Sequence, residues 1–215
     1  MIKAVIFDMD GTIVDTTKTH DYPTWKQVIE EHGGSLSFDT FRSILGKKAD
    51  ELLHDLAPHL TPKQIQQTAQ KKDMLFSKSL KEKGLKITSG FGELLKRLKD
   101  TGYKVALATG ARKSKVEIIL KHVPLHKYFP VIITADDVER GKPHPELFLK
   151  AAKKLDVKPQ ECLVIEDANN GIQAAKNADM KCIAITTTHK RGELKNADRI
   201  IDSFDELDIA YVKKL

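Results

Sequence analysis

Two aspartates, Asp8 and Asp10, close the apolar run Ala4-Val5-Ile6-Phe7 and lead into Gly11 and Thr12. Two carboxylates this close cannot both ionise in a low-dielectric cleft unless a cation or a proton joins them. Three further polar sites have similar settings. Thr109 closes Val105-Ala-Leu-Ala108, Glu166-Asp167 closes Cys162-Leu-Val-Ile165, and Lys142 stands in Gly141-Lys-Pro-His-Pro-Glu146 ahead of a helical stretch. Together they permit one chemistry. Asp8 and Asp167 can hold a hard cation such as Mg²⁺ through oxygen. One carboxylate can attack phosphorus and become an aspartyl phosphate. A hydroxyl and an ammonium can bind the non-bridging phosphoryl oxygens, where charge spreads in the transition state. A second carboxylate can protonate the leaving oxygen and later activate water. Each residue also has a plainer reading: a polar turn at Asp8–Gly11, a helix cap at Thr109 and at Glu166-Asp167, a surface lysine at 142.

The elements around them decide whether these residues can meet. An unbroken apolar run reads as a parallel strand buried on both faces, and ligands bind at the C-terminal ends of such strands. Further strands are expected at 104–108, 131–134, 162–165 and 181–185, with Ile200-Ile201 as a short last one. Helical patterns fill 91–100, 113–122, 145–155 and 169–178. Alternating strands and helices imply right-handed βαβ units and a parallel sheet. From about Thr17 to Lys83 the pattern turns wholly helical, in segments 24–31, 38–45, 49–56 and 61–82. Thr61-Pro62 supplies an N-cap and a first-turn proline. The expected fold class is α/β: a doubly wound, Rossmann-like parallel sheet from residues 1–15 and 86–215, interrupted by an inserted all-α cap domain of four helices, 16–85. Gly84 suits one of the two crossings.

The composition narrows the partners. Net charge is +6 over 215 residues, but the lysines are spread over most helical segments and aromatics make up 6%. With no basic stripe carrying stacking aromatics, nucleic acid is not expected. The excess positive charge still favours an anionic substrate. No apolar run reaches membrane-spanning length, and the chain opens directly on its first strand, so neither membrane nor signal peptide is expected. The two cysteines, Cys162 and Cys182, sit in apolar strand-like runs and read as buried free thiols, which implies a cytoplasmic setting. Asp8-x-Asp10-Gly11 lacks the later acidic positions of a calcium loop, and Gly90-Phe-Gly92 lacks the third glycine of a dinucleotide fingerprint.

In order and spacing, Asp8-Met-Asp10-Gly-Thr12, Thr109, Lys142 and Ile165-Glu166-Asp167-Ala-Asn-Asn-Gly171 resemble the four motifs of the haloacid dehalogenase superfamily. The resemblance covers the whole chain, since the helical insert lies where that family carries its first type of cap. Within the family the chain resembles sugar-phosphate phosphatases and β-phosphoglucomutase. The resemblance implies Mg²⁺ as cofactor and a role for each motif residue. Asp8 would be nucleophile and metal ligand. Asp10 would be general acid/base, its backbone carbonyl also on the metal. Thr109 would orient the phosphoryl group, Lys142 would hold nucleophile and phosphate, and Asp167 and Glu166 would complete the metal site. Gly11, Thr12 and Gly110 would be among the residues that bind the phosphate. Thr16, His20, Gly46, Lys47 and Arg112 are candidates for the rest of the substrate.

The expected activity is that of a phosphomonoesterase on a small phosphorylated metabolite, a sugar phosphate, by a chain working as a monomer or weak homo-oligomer. The alternative is a β-phosphoglucomutase-type transfer between hexose 1- and 6-phosphates. Ala49 stands where the mutase has its distal-phosphate arginine, and of the mutase's serine-lysine-asparagine run only one charge, Arg112, is kept; these departures favour the phosphatase. His20 and Thr16 resemble the mutase hinge, although His20 also reads as an exposed histidine before a helix. Trp25 reads as cap core rather than substrate platform, and Lys47-Lys48 as a solvated pair or a phosphate contact. A third reading is a phospho-acceptor signalling domain, from which the helical insert and the first-strand aspartates depart.

Overall fold

A computed structural model of the chain describes residues 1–123 and 127–215. Six parallel strands form one sheet: β1 (Ala4–Phe7), β2 (Lys104–Ala108), β3 (Val131–Ile133), β4 (Cys162–Glu166), β5 (Lys181–Ile185) and β6 (Arg199–Ile201), in the order β3-β2-β1-β4-β5-β6. The order reverses at β1 and β4, the position at which open α/β sheets form their ligand crevice. Phe7 pairs with Leu107 on one side and Ile165 on the other. Asp8, Ala108 and Glu166 therefore share one level at the sheet edge, with Thr109 and Asp167 one residue beyond.

The strands are apolar on both faces because both faces are covered. Val5, Phe7, Val105, Leu107, Leu163 and Ile165 pack with α5 (Phe91–Asp100), α6 (Lys113–Leu120) and α9 (Ile209–Lys214). Ala4, Ile6, Ala106, Ala108, Cys162 and Val164 meet α7 (Glu146–Leu155) and α8 (Asn169–Asn177). Alanines are concentrated on the α7/α8 face, while Phe7 centres the opposite face, packing edge-on against Phe91 and Phe129.

The helical insert contains α1 (Tyr22–Glu30), α2 (Phe38–Ser43), α3 (Ala49–Leu56) and α4 (Pro62–Lys83). Thr61 caps α4 through the N–H of Gln64, whose side chain returns the bond, with Pro62 in the first turn. Trp25, Val28, Phe41, Leu53 and Ala69 build the insert's own apolar cluster. Phe76 and Leu80, further along α4, join the cluster on the sheet instead. Two features lay outside the sequence reading. Thr17–Asp21 forms a π-helical turn, with the Asp21 N–H reaching the Thr16 carbonyl at 2.9 Å. The chain's two crossings also pair: Asp15 N donates to Lys86 O and Thr88 N to Ile13 O, both at 2.9 Å, around an antiparallel bridge from Val14 to Ile87. Among the described residues no helix is long and apolar enough to cross a membrane.

Candidate active site

The Asp8 N–H donates to Ile165 O at 3.0 Å, extending the β1–β4 ladder to the sheet edge. There the Lys142 ammonium lies 2.6 Å from Asp8 Oδ1 and 2.6 Å from Glu166 Oε1. Lys142 is 1% exposed, so the plainer reading of a surface lysine does not hold. The second Glu166 oxygen accepts the backbone N–H groups of Asp167 and Ala168, at 2.7 and 2.8 Å. Asp167 is held by two hydroxyls, Thr12 Oγ1 at 3.0 Å on Oδ1 and Thr188 Oγ1 at 2.6 Å on Oδ2. Gly11 has φ +79°, and a Cβ there would strike the Asp167 carboxylate, so both the turn and the close approach require glycine.

Oxygens of Asp8, Glu166 and Asp167 lie within 4.8 Å of one another, all three residues buried. Three carboxylates against one ammonium leave a deficit of two positive charges. Burial pushes the Asp8 carboxyl up to about 7, against the pull of Lys142 and with the help of Glu166 and Asp10. Burial, Glu166 and Asp8 likewise raise Asp167 well above the usual carboxylate range, against Thr188 and Thr12. Burial alone would lower Lys142, but Asp8 and Glu166 outweigh it and raise the ammonium, which stays charged. Hard oxygen donors and a deficit of two charges fit a divalent cation such as Mg²⁺.

Thr109 Oγ1 accepts the Ala111 N–H at 3.0 Å, which leaves its own proton for an anion. Asp8, Asp10, Thr109, Gly110, Arg112, Gly46, Lys47, Glu166 and Asp167 line a cavity of about 90 Å³ between the sheet edge and the insert. The Asp10 carboxylate is outside the three-carboxylate cluster: its Oδ1 accepts from Thr16 Oγ1 at 2.5 Å and lies 2.7 Å from Lys115 Nζ. The insert is strapped to the sheet domain. Arg42 pairs with Glu193 at 2.8 Å, Glu51 accepts the Gly141 N–H at 2.9 Å, and Asn170 donates to Leu45 O at 2.9 Å.

Several expectations for the insert change. His20 is not an exposed histidine: it is buried, bonded through Nδ1 to Ser79 Oγ at 2.9 Å and edge-on to Phe76. Gly11, Thr12, Thr16 and His20 do not line the inner cavity. The side chains of Thr12 and Thr16 hold Asp167 and Asp10. The Lys47-Lys48 pair divides: Lys47 meets Asp55 at 2.6 Å beside the cavity, while Lys48 donates to Val138 O at 3.0 Å across to the sheet domain. Trp25 is insert core and cavity wall at once.

The profile of the haloacid dehalogenase-like hydrolases matches residues 5–185. The chain belongs to this family. It is 38% identical over 219 residues to protein YhcW of Bacillus subtilis, covering 99% of this chain and 96% of that one. It is 34% identical to the phosphorylated carbohydrates phosphatase of Thermotoga maritima, over 85% of this chain and 84% of the relative. Among solved structures, β-phosphoglucomutase from Clostridium difficile superposes with a TM-score of 0.88 at 30% identity, over 100% of this chain and 96% of that one.

This haloacid dehalogenase-like hydrolase is an enzyme, a phosphatase, and some of its site was missed from the sequence. Lys115, Asp21 and Lys72 form a buried charge cluster against Asp10. Thr188 holds Asp167 from the end of β5. One signal was present for Lys72: it shares a helical face with Ala69, Phe76 and Leu80, whereas Lys71 pairs with Glu31 in solvent.

Proposed function

We propose that this phosphatase is a Mg²⁺-dependent phosphomonoesterase of small phosphorylated metabolites, sugar phosphates in particular, working through an aspartyl phosphate. Residues 16–85 act as a cap over a core of 1–15 and 86–215. The observation that carries the reading is the Lys142 ammonium shared by Asp8 and Glu166 at the head of a three-carboxylate cluster. Asp8, Glu166 and Asp167 would hold the cation, with the Asp10 backbone carbonyl as a further ligand. When bound, it supplies charge neutralisation for the phosphoryl oxygens. Asp8 attacks phosphorus and the P–O bond to the leaving group breaks. Lys142 and the Thr109 hydroxyl bind the phosphoryl oxygens. Asp10 gives its proton to the leaving oxygen, then takes one from the water that cleaves the aspartyl phosphate. The small cavity, walled by the insert, limits the water that can reach the first step. Substrate would enter from a wider cleft of about 1080 Å³ between α3, α4 and the loop before α7, which shares Lys47, Ala49, Ala69 and Arg112 with the inner cavity. Buried free thiols at Cys162 and Cys182 support a reducing, cytoplasmic setting.

The mutase reading keeps one supporting observation: Arg112 lines both spaces, where a distal phosphate would need a cation. Ala49, lining the same spaces, speaks against it. The test is phosphate release with Mg²⁺ across a panel of sugar phosphates, including β-glucose 1-phosphate with a trace of bisphosphate. Free phosphate over many turnovers is expected. Glucose 6-phosphate formed with little free phosphate would establish the mutase.

A further inference from the structure

Lys115 is a buried lysine that the mechanism above does not use. Its ammonium lies 2.7 Å from Asp10 Oδ1, in the core, and 2.7 Å from Asp21 Oδ2, on the π-helical turn that opens the insert. Asp21 Oδ1 in turn meets Lys72 Nζ of α4 at 2.5 Å. All three side chains are buried, and Phe76 lies beneath both ammonium groups at 4.6 and 4.7 Å. Two aspartates and two lysines balance in charge, so each of these buried charges faces an opposite one.

The geometry at Asp10 is asymmetric. Oδ1 takes both the Thr16 hydroxyl and Lys115. Among the described residues Oδ2 has no hydrogen-bond partner. A carboxylate pinned through one oxygen presents the other in a fixed direction, as a general acid/base requires. Asp21 makes this compatible with turnover. When Asp10 carries its proton, Lys115 loses one anionic partner; Asp21 remains, so no buried ammonium is left uncompensated.

We infer that Lys115 is a positioning residue for the general acid/base Asp10, with Asp21, on the turn that opens the insert, holding the other side of the same ammonium. The inference rests on the phosphatase reading. It assigns the acid/base step a dependence on a residue outside the four motifs, supplied by α6 and locked from the insert.

The experiment compares Lys115→Met with wild type on two esters, p-nitrophenyl phosphate and the best sugar phosphate of the panel. p-Nitrophenolate departs without a proton, whereas a sugar alkoxide needs one. Lys115→Met is expected to lower kcat/KM for the sugar phosphate about tenfold to a hundredfold, a part of the ~10²–10⁴ that acid–base catalysis is worth, and that for p-nitrophenyl phosphate less than about threefold. In an Asp10→Asn background the same substitution should change the sugar-phosphate value by less than about twofold, because its partner is already disabled. Lys115→Arg, which keeps the charge, guards against a folding failure of the methionine variant, and its ratio between the esters should stay near that of wild type. Equal losses on both esters, an undiminished effect in the Asp10→Asn background, or no loss at all overturns the inference. A wild-type protein that hydrolyses neither ester sinks the phosphatase reading, and the inference with it, before any variant is made.

Discussion

The carbonyl of Gly46, on the insert loop before α3, lies against Gly110 at the end of β2, so close that a Cβ on Gly110 would collide with it. Gly110 shows no left-handed backbone, so its glycine is required by this contact rather than by its dihedral angles. Gly110→Ala should therefore hold the insert off the site while leaving the sheet intact. The expected outcome is at least a tenfold loss of kcat/KM on every substrate with a melting temperature near that of wild type, because misplacement by about 1 Å costs on the order of 10²-fold. Unchanged kinetics would show that the loop yields.

Asp8→Asn should abolish turnover, since an amide neither attacks phosphorus nor contributes the third charge of the carboxylate cluster. Asp10→Asn should slow sugar-phosphate hydrolysis by ~10²–10⁴ and retain Mg²⁺ binding. Steady-state kinetics beside a Mg²⁺ titration followed by thermal melting separates the two roles. Loss of metal binding in Asp10→Asn would move that side chain into the metal site.

In metal-free protein the carboxylate cluster should contribute less stability as pH rises. The Asp8 carboxyl is raised from 3.8 to about 7 by burial, so between those values the folded chain holds a proton that the unfolded chain has released. A raised carboxylate contributes stability at low pH that is lost as pH climbs through the folded value; Asp167 acts in the same direction. A cation at the cluster cancels this loss. The gain in melting temperature on adding Mg²⁺ should thus be larger at pH 8 than at pH 5. His20 and His189, both lowered by burial, destabilise at acid pH, and comparing samples with and without Mg²⁺ at each pH removes their contribution. An equal or larger gain at pH 5 would contradict the assignment.

Thr188→Val removes the 2.6 Å hydroxyl bond to Asp167 Oδ2 while keeping the side chain's shape. Partners that orient a metal ligand are typically worth 10–100-fold in metal affinity. Calorimetric titration should show Mg²⁺ binding weakened by about tenfold. Unaltered affinity would mean that Thr12 alone suffices to orient Asp167.

Much of this molecule is local in origin. Strands β1, β2 and β4 are legible because burial on both faces writes them as continuous apolar runs, and α4 announces its start through Thr61, Pro62 and Gln64. The motif carboxylates and Thr109 are legible because strand ends in a parallel sheet share one edge, and Lys142 because its motif stands just ahead of a helix on that edge. The π-helical turn at Thr17–Asp21 has no such signature, and its residues read as a polar lead-in to a helix. His20 reads as exposed because what buries it, Phe76 and Ser79, lies more than fifty residues away.

The chain by itself determined the doubly wound sheet, the helical insert and the groups at the strand ends, because period, apolarity and spacing act within a few residues. Tertiary structure alone decided that Lys72 pairs with Asp21, that Lys115 joins Asp10 to Asp21, and that Thr188 reaches Asp167. A charge's role depends on which opposite charge the fold brings within about 3 Å and how much water it removes, and neither is written in the neighbouring residues.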